Sequence, residues 1–163
     1  MSYSIFKPSI YLNDILSLKQ QSDINPLNRS RICLHEFNSL EIQQMIINIK
    51  KSSYIPPHRQ LKCKKSYMIL DGSLILYFFN NTGKLEEVVH MDNNKKNNPF
   101  MLMFDAGRWH TVKSESNYST YLETRNSYSL TDTEFSTWAP DKLKLIEGLA
   151  YINDLTKERD LQL

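Results

Sequence analysis

The sequence predicts a mainly β, single-domain protein: an antiparallel barrel or sandwich with a short helix before it and a longer helix after it. Three observations lead there. Between Arg29 and Arg125 the apolar residues fall into short, β-rich runs. Turn signals separate those runs, at Asp71-Gly72, Asn80-Asn81-Thr82-Gly83 and Asp105-Ala106-Gly107. No helical pattern interleaves them, which argues against a parallel sheet.

The elements follow in order. Leu12, Ile15, Leu16 and Leu18 recur at helical spacing and predict a helix over about Tyr11 to Gln21, with Asn13 or Asp14 as its cap. Pro26, in "DINPLN", breaks it. From Arg29 the period becomes two: in "RSRICLHEF", Arg31, Cys33 and His35 alternate with Ile32 and Leu34. The runs "IQQMIINIK", "SYMILDG", "SLILYFFNNTGKLEEVVHM", "FMLMFDAGRWHTVKS" and "STYLETR" supply the remaining strands, with the glycines suited to hairpins. Leu143, Leu145, Ile146, Leu149, Ile152 and Leu155 predict a last helix over Pro140 to Lys157, with Pro140 in its first turn. The expected organisation is an N-terminal helical arm at 1–28, a barrel at 29–138 and a C-terminal helix at 139–163.

A chain of 163 residues is one domain by default. Twenty Lys and Arg against eighteen Asp and Glu leave a formal charge of +2, too small for strong nucleic-acid binding. Lys50, Lys51, Lys62, Lys64, Lys65, Lys95 and Lys96 form local basic clusters that read as solvated loop faces. Cys33 and Cys63 stand outside any CxxC arrangement, as free thiols of a reduced, cytoplasmic protein would. The start "MSYSIFKPSIYLNDIL" lacks the pattern of a signal peptide, and no apolar run reaches the roughly 18 residues of a membrane helix. All four glycines are single, so there is no glycine-rich phosphate loop.

Two motifs carry chemistry, "PHRQLKCKKSYMILDG" and "GRWH". They resemble the two ligand-bearing motifs of a cupin, H-x-H followed by Glu and Gly, and Gly-x-x-His. With "NPLNRSRICLHEF", "YLETRNSY" and "EFSTWAP", the chain resembles the WbuC family of cupins from Asn25 to Pro140. That resemblance implies a double-stranded β-helix, a cytoplasmic homodimer, and an origin among bacterial O-antigen and surface-polysaccharide genes. A saccharide or sugar nucleotide is the implied ligand, and no membrane or nucleic-acid partner is expected.

Carried over residue by residue, His58 matches the first His of H-x-H and His110 the turn His. Gln60 stands in place of the second His, and Lys65 in place of the Glu. An amide is a weak ligand, and a protonated lysine has no lone pair. The expectation for metal at His58, Gln60 and His110 is therefore none, or a weakly bound Zn, Ni, Fe or Mn ion. His58 and His110 are candidate acid and base, as imidazole titrates near neutral pH, with Lys65 the third catalytic candidate. Arg31, Tyr67, Arg108, Tyr121 and Glu123 are candidate ligand-binding residues; Tyr121 and Glu123 share a strand face. Trp109 should point away from His110. Tyr54, Tyr67, Tyr77, Tyr121 and Tyr128 suit sugar binding or ordinary packing. Two readings stay open: a sugar or sugar-nucleotide isomerase or epimerase, and a non-catalytic ligand-binding or regulatory cupin with a lost metal site.

Overall fold

The computed structural model describes residues 5–36, 42–126 and 132–160. In chain order these form β1 (Ile5–Phe6), α1 (Leu12–Ile24), β2 (Arg29–Cys33), β3 (Ile42–Lys50), β4 (His58–Gln60), β5 (Lys65–Asp71), β6 (Ser73–Phe79) and β7 (Leu85–Asp92). They continue with β8 (Met101–Phe104), β9 (Trp109–Ser114), β10 (Tyr118–Asn126), β11 (Thr133–Phe135) and α2 (Leu145–Asp160). One sheet has the order β1-β2-β3-β10-β5-β8 and the other β11-β4-β9-β6-β7. Every pairing is antiparallel except that of β1 with β2.

The two sheets face each other, and period-two alternation decides what each strand places between them. Ile49, Tyr67, Ile69, Phe104 and Tyr121 of the first sheet meet Leu74, Leu76, Phe78, Met91 and Val112 of the second in one buried cluster. The opposite faces are not left to solvent. Helix α1 covers the first sheet where Leu18 packs on Ile32 and Ile46. Helix α2 covers the second, with Ile152 and Leu155 against Ile75, Tyr77 and Phe79. Strand β6 is therefore buried on both faces along its whole length, which is why "SLILYFF" reads as an unbroken apolar run rather than an alternating one.

Tyr54 anchors α2. Its ring packs in the outer cluster, and its hydroxyl donates to the Pro140 carbonyl at 2.7 Å. Gly148 lets the helix approach, since a Cβ there would lie inside the van der Waals envelope of the Tyr54 ring. Gly148→Ala is expected to destabilise the protein by about 1–3 kcal/mol through overpacking. Alanine's better helix propensity, worth about 1 kcal/mol, would soften that loss, and urea melts of the two proteins measure the difference.

Several expectations need correction. Helix α1 runs on to Ile24, and its first turn is closed by Asp14, whose carboxylate accepts from the Tyr11 N–H at 2.8 Å. Helix α2 begins at Leu145, so Pro140 precedes it; residues 141–144 form a turn in which Asp141 accepts from the Leu143 N–H. Of the three turn signals, only the one around Gly83 makes a hairpin, between β6 and β7. Asp71-Gly72 and Asp105-Gly107 are corners that carry the chain from one sheet to the other. Gly72 is at φ 74°, with the Tyr118 carbonyl crowding the place of a Cβ. Strands β1, β4 and β11 are too short to show a period. Phe37 and Tyr128 lie outside the described residues. No helix among the described residues is long and apolar enough to cross a membrane.

Candidate functional site

His58 and His110 meet between the sheets. Strand β4 pairs with β9 so that the two histidines are register partners, and their ring centroids stand 4.4 Å apart. Each ring is held the same way: Nδ1 of His58 lies 3.0 Å from the Pro56 carbonyl, and Nδ1 of His110 lies 2.9 Å from the Arg108 carbonyl. A carbonyl can only accept, so in each neutral ring Nδ1 carries the proton and Nε2 keeps its lone pair. His110 is fully enclosed, while His58 is half-buried toward the edge of the sheet.

The first sheet supplies the opposing wall. Glu123 on β10 is the register partner of Tyr67 on β5, and Arg125 that of Lys65. Lys65 Nζ stands 3.3 Å from Glu123 Oε1, with both side chains less than a tenth exposed. The Tyr67 hydroxyl lies 3.5 Å from His110 Nε2. Tyr121 packs against the Tyr67 ring at 5.0 Å, and Phe104 closes over His110 at 4.7 Å. Gln60 is buried beside His58, its amide donating to Thr133 Oγ1 at 3.3 Å. Phe135, half exposed, stands 5.8 Å from the His58 ring.

Electrostatics fix the protonation states. Burial, and then Lys65, push the His58 imidazolium down to about 3. Burial, His58 and Lys65 hold His110 well below the ordinary histidine value. Burial and a neighbouring ammonium thus favour the neutral form of both rings over the imidazolium. Burial alone would raise the Glu123 carboxyl, but Lys65 and Arg125 outweigh it and hold it below the usual carboxylate value. Burial draws the Lys65 ammonium down, with Glu123 opposing. Burial and Glu123 push the Tyr67 phenol well up, so it stays a donor.

Other candidates sit further out. Arg31 is on the same face of β2, but at the solvent side, in register with Ile47 and through it Tyr121. Arg108 is engaged elsewhere: it pairs with Glu87 and stacks 3.8 Å over the Phe78 ring. Trp109 faces α2, as alternation requires, and packs on Trp138 at 5.9 Å. Cys63 is buried and donates to Asp132 at 3.2 Å; His90 pairs with Glu115 at 3.1 Å. Sequence reasoning singled out none of Phe104, Phe135, Thr133 and Arg125, although Arg125 and Phe135 lie in "YLETRNSY" and "EFSTWAP".

The donor set does not fit a divalent metal. Two imidazole Nε2 atoms and one amide bring no negative charge. The nearest carboxylate, Glu123, is committed to Lys65, whose ammonium repels a cation. Among the described residues no group of three or more His, Cys, Asp or Glu side chains could hold a metal ion.

Fold and site together define a cupin-type barrel, a double-stranded β-helix of two facing sheets. The model of a family described as a domain of unknown function (DUF6016) matches residues 10–91, half of the chain, and the protein belongs to that family. No curated protein matches it. Among solved structures it is similar to protein SO0799 from Shewanella oneidensis at 12% identity, with a TM-score of 0.52 over 63% of this chain and 67% of that one. It is similar to a recombinant oxalate oxidase in complex with glycolate at 13% identity, with a TM-score of 0.53 over 69% of this chain and 57% of that one. Procruciferin, an 11S globulin from Brassica napus, gives 12% identity and a TM-score of 0.53 over 71% of this chain. The chain spans only 28% of that globulin's length. At such identities the likeness is one of fold.

Proposed function

We propose that this protein is a WbuC-like cupin that binds, and acts on, a sugar or sugar nucleotide of bacterial surface-polysaccharide (O-antigen) assembly, without a resident metal. The observation that carries the reading is the buried set of His58, Tyr67, His110, Lys65 and Glu123 between two aromatic walls. Sugar hydroxyls need acceptors and donors side by side on an apolar surface. The Nε2 atoms of His58 and His110 and the Glu123 carboxylate accept, and Lys65 and the Tyr67 hydroxyl donate. Lys65 also offers charge to a carboxylate or phosphate. In an isomerase or epimerase reaction, His58 or His110 would take up the proton at its Nε2 lone pair, and the Lys65–Glu123 pair would return it. Gln60 and Tyr121 would shape the pocket.

A second reading is favoured by the missing metal donors: a cupin that binds the same class of ligand without turning it over. A panel of nucleotide sugars screened by thermal shift and by proton NMR decides. The proposal expects at least one to raise the melting temperature at millimolar concentration, and His58→Ala to remove that rise. Turnover lost in Glu123→Gln while binding persists supports the enzyme; binding with no turnover supports the second reading. Absence of stabilisation by every member would overturn both.

A further inference from the structure

A second concavity, of about 540 Å³, opens where the ends of β3, β9 and β10 meet α2. Lys50 and Lys51 enter it from the end of β3, Lys113 from β9, Asn117 and Tyr118 from the turn into β10, and Asn153 from α2. Lys113 belongs to the face of β9 opposite His110 and Val112, so this groove lies on the far side of the second sheet from the histidine pair. Its two turns are tied together, the Lys51 N–H donating to the Asn117 carbonyl at 3.0 Å.

The charges in it are unevenly compensated. Lys50 is paired with Asp23 at 2.7 Å, and the Tyr118 hydroxyl donates to the same carboxylate at 2.6 Å. Lys51 and Lys113 form no salt bridge among the described residues. The Lys113 ammonium is steered by the Asn153 side-chain carbonyl at 2.8 Å, a neutral acceptor that fixes its position without cancelling its charge. Glu115, the acidic neighbour of Lys113, is turned to His90. Burial and the charge of Lys51 pull the Lys113 ammonium below the ordinary lysine value, with Glu115 opposing. Lys51 and Lys113 thus line a concavity whose other polar groups are the Lys50 ammonium, already paired with Asp23, and neutral hydroxyls and amides. A dianion between them would relieve the repulsion and find its donors already placed.

We infer that this groove is a second ligand site that takes a phosphate dianion, either free or as the terminal phosphate of a phosphorylated metabolite. The inference is independent of what the barrel interior binds. An acidic peptide would need a longer basic track than two free ammonium groups, and the small net charge disfavours nucleic acid.

Calorimetric titration of the full chain at low ionic strength tests it, with inorganic phosphate, pyrophosphate and a sugar 1-phosphate as probes. The expected result is saturable binding that weakens on adding salt. Lys51→Ala and Lys113→Ala should each weaken it at least about fivefold, in keeping with a lost hydrogen bond to a charged group. Lys62→Ala, an exposed lysine elsewhere, should leave it unchanged. Lys51 is exposed and forms no salt bridge among the described residues, so its variant keeps the test valid if Lys113→Ala is unstable. Equal affinity for all probes supports a site for phosphate alone; tighter sugar phosphate supports a metabolite site. No binding by any probe at about 10 mM, or affinity unchanged in the double variant, overturns the inference. So does binding that is lost in His58→Ala but kept in the lysine variants.

Discussion

Lys65→Met is expected to destabilise the protein by about 3–5 kcal/mol, because it leaves the Glu123 carboxylate buried without its partner. For a chain of this length each kcal/mol shifts the melting temperature by roughly 2–4 °C, so a fall of roughly 6–20 °C should be seen by calorimetry. Arg125 also acts on Glu123 and sets the loss toward the lower end of the range. The double variant Lys65→Met, Glu123→Leu should recover most of the loss, since a buried ion pair replaced by apolar groups is often neutral. A single variant as stable as the parent would mean that the two charges do not depend on each other.

Stability is expected to fall steeply as the pH drops below about 6.5, the ordinary histidine value. His58 and His110 stay neutral in the folded protein, while in the unfolded chain both take up a proton. The unfolded state therefore binds more protons, and unfolding becomes easier by about 1 kcal/mol per pH unit for each histidine. The contribution is fully present above pH 6.5 and, for His58, is lost by about pH 3. Denaturant melts between pH 4.5 and 7 measure the slope. His58→Asn should remove about half of the histidine part; an unchanged slope would show that His58 titrates normally in the fold.

Much of the fold could be read from the chain because each face of each sheet obeys a simple rule. Period two marked β2, and β-rich runs bounded by turn signals marked β3, β5, β6, β7, β9 and β10. What escaped were segments where geometry is set by neighbours. Strands β4 and β11 have three residues each, and their pairing, not their sequence, makes them strands. Asp71-Gly72 has the composition of a hairpin, yet it turns a corner, because β6 is drawn to β7 and β9 rather than back onto β5. For the site, the motif resemblance located His58, Gln60, Lys65, His110 and Glu123. The direct bond between Lys65 and Glu123 could not be read, since it joins residues 58 apart on neighbouring strands. The neutrality of the imidazoles was hidden for the same reason: it depends on enclosure, which no local pattern reports.

The position of β10 bears on how the molecule assembles. It lies between β3 and β5 in the first sheet, yet comes near the end of the chain. The Asn48 amide and the Thr120 hydroxyl that bond across it are 72 residues apart. Until residue 126 has left the ribosome, β3 and β5 have no strand between them, and their apolar inner faces are exposed. Closing so long a loop before any contact rewards it places the rate-limiting step late, in the slow regime of β proteins dominated by non-local pairing. Until β10 is made, the nascent chain thus carries two unfinished sheet edges, a window in which pairing with another chain competes with completion by its own β10.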